Sequence, residues 1–352
     1  MKRFKSTIIA TLAVFVAVAC MLPSAPASAV SSAALSIVPK KNYTIEPGKS
    51  IGDKLTIRNL DSNESLSLTM RVVDFTFTDD GGTPKLMLAE DAPQTTWSLK
   101  PFLSLPKTVT IPAKTSKSVD MKVTIPAGHG AGSYYSAIVY SSGSSDGGNV
   151  GLSASGVTLV FASIPGEVKE SLKLEQFGAY HMPKAGKEGA FTFITANKPE
   201  AIAYKLKNDG NVTEAPVGSI TLKHMFGKEQ SIDNINPNSS LALIGQSRTF
   251  TACIKLKSEE VNFNGERSRS TACTTPDLWP GYYSIGINGY YGQNGNRTQE
   301  IVQNGGFWYL PWWFVLVSLI VIVIAAYYGA KAYRTVQYKL YGTKPNRKSR
   351  RR

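Results

Sequence analysis

The stretch DKLTIRNLDSNESLSLTMRVVDF, residues 53–75, decides the fold class of this chain. Apolar and polar residues alternate on both sides of the polar run DSNES, so that Leu55 and Ile57 share one face and Leu68 and Met70 share another. Alternation with a period of two is typical of a strand with one buried face. Asp, Asn and Ser favour turns. The stretch therefore predicts two strands joined by a turn.

The same pattern continues along the first half of the chain. SVDMKVTIP, residues 118–126, places Val119, Met121 and Val123 on one face. The runs DDGG and PAGHGAG read as turns, and helical periodicity is nearly absent from residues 30–304. Short strands separated by turn clusters are typical of β-sandwiches.

The second half repeats this arrangement. In EAIAYKLKNDGNVTEAPVGSITL, residues 200–222, an alternating strand ends at an Asn-containing turn and a second strand follows, as in residues 53–75. The stretches GSYYSAIVY and GYYSIGINGYYG, which begin at Gly132 and Gly281, also resemble each other. Internal repetition indicates related modules. We therefore predict that residues 30–304 are all-β and form two tandem immunoglobulin-like β-sandwiches, the first over residues 30–170 and the second over residues 171–304.

The Ser/Gly-rich segment SSGSSDGGNVGLSASG, residues 141–156, interrupts the first predicted sandwich. Its composition is that of a flexible loop or of a long hairpin connection, and both remain open.

A single transmembrane α-helix is predicted over residues 305–330, because no charged residue lies between Gly305 and Ala330. About 20 apolar residues in a helix cross the hydrocarbon layer of a bilayer. Aromatic rings prefer the headgroup level. The predicted membrane-interface residues are Trp308, Trp312 and Trp313 at one end and Tyr327 and Tyr328 at the other.

The tail, residues 331–352, sets the predicted orientation. It holds nine Lys and Arg residues and no acid, and Lys331, Arg334 and Lys339 follow the span most closely. Basic flanks stay in the cytoplasm. Nucleic-acid binding is the competing interpretation of a basic tail. We favour membrane topology, with extracellular sandwiches and no nucleic-acid partner.

The N-terminus reads as a secretory signal over residues 1–29. Three basic residues precede an apolar stretch, and Ala27-Ser28-Ala29 suits cleavage before Val30. Cys20 offers an alternative lipidation site, which stays open. The formal net charge of +14 comes mostly from the signal and the tail, so the exported part is nearly neutral and does not imply a strongly acidic partner.

Cys253 and Cys273 are the two cysteines left after the signal. In an exported domain such a pair predicts a disulfide, here across a polar segment that reads as a long hairpin or an insertion. Two free thiols are the alternative. No third ligand lies at metal spacing, so no metal site is predicted.

No motif in the sequence predicts an enzyme. The three histidines lie far apart in sequence, and no phosphate-binding loop is present. GKSIG, residues 48–52, matches G-x-S-x-G, but it follows a proline and opens a strand instead of joining a strand to a helix. We predict no catalytic residues, no cofactor and no enzymatic activity.

Three stretches, residues 37–75, 105–140 and 158–177, resemble the peptidoglycan-binding domain of WxL-interacting proteins. Residues 205–251 resemble the companion domain of that family. The resemblance implies a bacterial cell-surface protein whose first domain contacts the wall polymer and whose second contacts a partner protein or host surface. The Cys253–Cys273 insertion departs from the family, and no binding residue is carried over.

The sequence leaves three functions open. The first is a binding module anchored in the bacterial cytoplasmic membrane that grips peptidoglycan and recruits a surface protein partner, with exposed strand edges as a plausible means. The second is a chaperone-like or adhesin β-sandwich protein without wall binding. The third is a surface hydrolase, which the missing acid–base constellation disfavours.

Overall fold

The computed structural model describes residues 35–77, 84–89, 91–142, 154–184, 187–263, 266–292 and 298–342. The predicted signal, Cys20, the DDGG turn, most of the Ser/Gly-rich segment and the end of the tail lie outside the described residues.

The first module packs two sheets against each other, in the strand orders β1-β3-β9-β7 and β2-β11-β10-β4-β8. Its strands are β1 (Leu35–Ile37), β2 (Lys40–Thr44), β3 (Ser50–Asn59), β4 (Leu66–Val73), β5 (Phe75–Phe77), β6 (Pro84–Leu86), β7 (Leu103–Ser104), β8 (Thr108–Ile111), β9 (Ser116–Thr124), β10 (Gly132–Ser142) and β11 (Ala154–Ile164). A 3-10 turn, Lys100–Phe102, precedes β7.

The second module has sheets in the orders β13-β12-β15-β18 and β14-β22-β21-β16-β17. Its strands are β12 (Leu172–His181), β13 (Ala190–Thr192), β14 (Ile194–Thr195), β15 (Ala201–Asn208), β16 (Val217–His224), β17 (Glu229–Asp233), β18 (Ser247–Cys253), β19 (Leu256–Phe263), β20 (Glu266–Cys273), β21 (Gly281–Tyr291) and β22 (Gln299–Tyr309). Among the described strands, β19 and β20 pair only with each other, as a hairpin.

The alternation in the sequence corresponds to the core of the first module. Leu55, Ile57, Leu68 and Met70 all belong to one buried cluster between the sheets. The opposite faces of β3 and β9 are exposed and polar. The predicted all-β sandwich fold is thereby confirmed.

The two modules share one topology, as their repeated stretches predicted. Strand β10 pairs with β11 so that Gly132 faces Ile164, and β21 pairs with β22 so that Gly281 faces Tyr309. Both glycines have positive φ, 141° and 139°. A β-carbon on Gly132 would collide with the carbonyl oxygen of Asn211 in the second module, so this glycine permits the close approach of the two modules.

A continuous apolar cluster joins the modules. The outer face of β10, with Tyr135 and Val139, packs beneath Phe77 and against Leu243 and Ile244 of the second module. This burial on both faces explains why nearly all of β10 is inaccessible.

Polar contacts reinforce this junction. The Arg248 guanidinium lies 4.6 Å from the centre of the Phe77 ring. The backbone N–H of Ser133 donates to the carbonyl of Asn211 at 2.9 Å, and the N–H of Thr213 donates to the Ser133 hydroxyl at 3.1 Å. The junction is therefore a packed interface and not a free hinge.

Helix α1 spans Trp312–Tyr341 and is long and apolar enough to cross a membrane, judged by length and composition. The prediction of a helix over 305–330 was wrong at its start, and the helix extends beyond the predicted end of the span. Residues 305–309 belong to β22, where they pair with β21, and the helix continues eleven residues past Ala330. A buried strand and a membrane helix are both uncharged and apolar, so composition alone merged them.

Candidate strand-binding site

The predicted disulfide is present. Cys253 ends β18, Cys273 ends β20, and their sulfurs are bonded with the Cα atoms 5.0 Å apart. The bridge closes the base of the β19–β20 hairpin, where Leu256 faces Cys273. Its position is structural, because it fixes the hairpin to the edge of β18.

The predicted membrane-interface residues of α1 lie at two levels. Trp312 and Trp313 form its first turn, and Tyr327 and Tyr328 come about 22–24 Å further along the axis at 1.5 Å per residue. Lys331 is about 28 Å from Trp312 on the same measure, close to the ~30 Å hydrocarbon thickness. Arg334 and Lys339 follow on the exposed last turns.

Trp308 lies in a strand and not in the predicted helix, and its place at the membrane interface stays a prediction. It is the second-last residue of β22, and its ring centre lies 5.2 Å from that of Tyr282 on β21. It therefore belongs to the second module and precedes the helix by four residues.

The histidines serve structural contacts. The two ring nitrogens of His181 lie 3.2 Å from Glu200 Oε2 and 3.0 Å from Thr195 Oγ1. The His129 ring packs against Phe102 and Tyr134. Among the described residues, no group of three His, Cys, Asp or Glu side chains is placed to hold a metal ion.

The feature that stands apart is the outer edge of β22. Its inner edge pairs with β21 along all eleven residues without a bulge. On the outer edge, β14 covers only Trp308 and Tyr309. Within the described chain, no strand pairs with the outer edge of Gln299–Gly306, which is about 26 Å long at 3.3 Å per residue.

The short pairing with β14 shows which backbone groups of β22 point toward its outer edge. The N–H groups of Trp308 and Leu310 donate to the carbonyls of Phe193 and Thr195, each at 2.8 Å. Even-numbered residues of β22 therefore direct both N–H and C=O away from β21. The further outward-facing residues are Glu300, Val302, Asn304 and Gly306.

In the first module, the strand that corresponds to β22 is β11, and a further strand pairs with its outer edge. Counted from Ile164 and Tyr309, the residues Leu159–Ser163 of β11 correspond to Asn304–Trp308 of β22. In the first module, β2 runs parallel along all five of these positions. In the second module, the corresponding segment crosses from β12 to β22 at Phe193. Of the outer edge of β22 it covers Trp308 and Tyr309. We call the space beside the outer edge of this strand the slot: β2 fills it in the first module, and no described strand fills it at residues 304–307 of the second.

The open edge carries little of the usual protection against pairing. Free strand edges are commonly blunted by charged side chains, especially Lys, by Pro or by a bulge. Gln299–Gly306 contains no Lys, Pro or bulge, its one charged side chain is Glu300, and Val302 is 62% exposed. By contrast, β12, which borders the same side of the sandwich, carries Lys173 and a bulge at Glu175. A β-edge of this kind can accept an extended peptide through main-chain hydrogen bonds.

Comparisons with known proteins identify no family. No family model and no curated protein matches the chain. Among solved structures, it is similar to the chaperone–tip adhesin complex of CFA/I fimbriae, at 13% identity over 77% of this chain and 98% of that chain, with a TM-score of 0.36.

Two further similar structures are chaperones. One is the class 5 fimbriae chaperone CfaA, at 15% identity over 77% of this chain and 98% of that one, with a TM-score of 0.32. The other is the E. coli chaperone DraB, at 13% identity over 68% and 98%, with a TM-score of 0.30. At these identities and scores the similarity concerns the fold alone.

Proposed function

We propose that this chain is a membrane-anchored, non-enzymatic binding protein whose second module captures an extended segment of a partner protein along β22. The supporting observation is the contrast between the modules: β2 fills the slot beside β11, whereas no strand of the described residues fills the matching slot beside β22 at residues 304–307. Helix α1 supplies the anchor. Both modules lie outside the bacterial cytoplasmic membrane, and the basic tail lies in the cytoplasm.

The slot defines the chemistry of the partner segment. An added strand would pair with the outward N–H and C=O groups of Glu300, Val302, Asn304 and Gly306. Its inward side chains would enter the open side of the sandwich between β12 and β22, where the half-buried ring of Phe177 lies 3.5 Å from the β-carbon position of Gly305. The partner segment is therefore an alternating strand with apolar residues on its inward face.

Such an edge suits both chaperone-like and adhesin-like roles. A chaperone releases the captured strand, whereas an adhesin or surface scaffold retains it. The lifetime of the complex distinguishes these two roles, and the strand-addition step is common to both.

Site-specific photocrosslinking tests this function in intact cells. A benzoylphenylalanine in place of Val302 should yield an adduct with a partner protein, and the same group at Gln230 on exposed β17 serves as the background. Asn304→Pro should abolish the adduct, because it removes an outward N–H while sparing the ladder to β21. Asn304→Ala retains that N–H and should preserve the adduct.

Two results would refute strand capture at β22. One is an adduct equal in the Pro and Ala variants. The other is an adduct at Val302 no stronger than at Gln230. Circular dichroism of both Asn304 variants checks that each retains the β-sandwich fold.

A second candidate function is binding of a wall polymer by the first module. The outer face of β3 and β9 is polar, with Lys54, Arg58 and Lys122 among hydroxyl side chains and with Asp120 opposite Lys54. A shallow groove of about 680 Å³ adjoins it, lined by Asp53, Asp120 and others. Cationic and hydroxyl groups on a flat sheet suit a glycan that carries carboxylate or phosphate groups.

Co-sedimentation of the detergent-solubilised chain with insoluble cell-wall sacculi tests this second function. Lys54→Glu with Lys122→Glu should reduce the sedimented fraction severalfold, and Lys173→Glu on the second module should leave it unchanged. Equal binding by the wild type and the double variant, or none by the wild type, would contradict it.

A further inference from the structure

One end of the second module carries most of the exposed apolar surface outside α1. Seven large apolar side chains of the described residues outside the helix are at least half exposed, and two of them are Leu256 and Val302. The other five define what we term the apolar pole: Phe193, Ile194, Met225, Phe226 and Trp279. Phe226 is 86% and Trp279 75% exposed. Isolated exposed apolar residues are ordinary, but five at one end of a module form a contact surface.

Backbone contacts place all five beside the end of β22. The carbonyl of Phe193 accepts from the N–H of Trp308 at 2.8 Å, and Ile194 pairs with that same residue. The N–H of Met225 donates to the carbonyl of Tyr282 at 3.0 Å, next to Phe226. Trp279 precedes the first residue of β21 by two positions. The apolar pole therefore surrounds the point at which the chain leaves the module for α1.

The connection between this end and the helix is short and fixed. Only Leu310 and Pro311 separate β22 from Trp312. The Leu310 N–H is bonded to the Thr195 carbonyl at 2.8 Å, and Pro311 is buried. Three residue steps span at most about 11 Å. The headgroup layer on each side of the hydrocarbon is about 5–8 Å thick, so the pole must lie at or near it.

We infer that the apolar pole rests in the headgroup region of the leaflet from which α1 emerges. The lipid surface is the occupant of this face, because the face is continuous with the exposed first turn of the membrane helix. Amphipathic rings such as Trp favour that level. Lys228, on the same turn as Phe226, can meet lipid phosphates.

This inference rests on the membrane anchor of the proposed function and adds to it a fixed orientation of the second module on the bilayer. Because the pole and the two-residue connection both hold the second module to the bilayer, the module does not swing on a tether. The open edge of β22 then points away from the membrane at a fixed distance from it, and Gln299 is its residue farthest from the lipid.

Depth-dependent quenching on the full chain tests the inference. The chain carries Cys20→Ser and one new cysteine, either Phe226→Cys or Asn63→Cys, and each is labelled with the environment-sensitive fluorophore NBD. Asn63 is exposed on a turn of the first module, away from the second. The labelled chains are reconstituted into phosphatidylglycerol–phosphatidylethanolamine vesicles with or without headgroup spin-labelled lipid. Flotation of the vesicles reports separately whether the chain is anchored.

The expected result is co-flotation of both chains, with quenching at position 226 at least threefold stronger than at position 63. Co-flotation with equally weak quenching at both positions overturns the inference and leaves the anchor and the strand-binding edge intact. Failure to float removes the anchor and overturns the inference with it. Trp279→Cys labelled in the same way provides a second position, so that misfolding of one variant does not decide the outcome.

Discussion

Glu214 predicts a pH dependence of stability that one substitution should remove. Its side chain is 2% exposed between β15 and β16, and Oε2 accepts the N–H of Gly292 at 3.2 Å. Burial, followed by the charge of Glu170, raises the pKa of the Glu214 carboxyl from 4.5 to about 7. The hydrogen bond from Gly292 acts in the opposite direction but is outweighed.

The sign and size of the effect follow from proton linkage. Between pH 4.5 and pH 7, folded Glu214 holds a proton that the unfolded chain has released, so the free energy of unfolding falls as the pH rises. The full difference corresponds to about 3.4 kcal/mol at 1.36 kcal/mol per pKa unit, and about 2.5 kcal/mol of it falls between pH 5 and pH 8. Glu214→Gln cannot ionise and should lack this loss.

The assay is urea unfolding of the full chain in detergent at pH 5 and pH 8. Fluorescence of Trp279 and Trp308 reports the second module when the other tryptophans are replaced by Phe. The difference between the wild type and Glu214→Gln, compared at the two pH values, cancels the titration of every other group. Wild type and variant losing equal stability from pH 5 to pH 8 would refute the assigned pKa and its cause in burial.

Three further predictions concern the stability of the modules, the disulfide and the membrane topology of the chain. Asn208→Ala should destabilise the second module by about 2–3 kcal/mol, and Asn59→Ala the first by a similar amount, because each amide donates to at least two backbone carbonyls that would be left unpaired; urea unfolding measures both. Replacing Cys253 and Cys273 by Ser should cost about 3 kcal/mol in the same assay, and the unreduced mature chain should show no free thiol by mass spectrometry. A tag after the last residue should resist protease added outside intact cells, and its loss would reverse the predicted topology.

The repeated Asn turns illustrate what could be predicted from the sequence. Each lies where an alternating strand ends, and the structure shows the reason for the repetition. Asn59 and Asn208 are both buried, and each side chain bonds the loop that follows its strand. These contacts are local in sequence, so a period of two followed by a polar turn was enough to identify them.

The end of the second module illustrates what could not be predicted. The uncharged run from Gly305 through α1 combines a buried strand with a membrane helix, and only pairing with β21 separates them. The open edge of β22 depends on where a segment more than a hundred residues earlier crosses between sheets. Similarly, the outer face of β10 is buried only because Leu243 and Ile244 of the second module cover it.

The sequence by itself therefore determined the elements that depend on near neighbours along the chain: the strands, the two modules, the cysteine pair and one apolar span. Periodicity and composition act over a few residues and carry this information directly. The tertiary structure alone decided which strand edge stays unpaired among the described strands, how the modules pack and which apolar side chains gather at the end of the second module next to α1. Those features depend on residues brought together from distant parts of the chain, and no local pattern encodes which partner each surface receives.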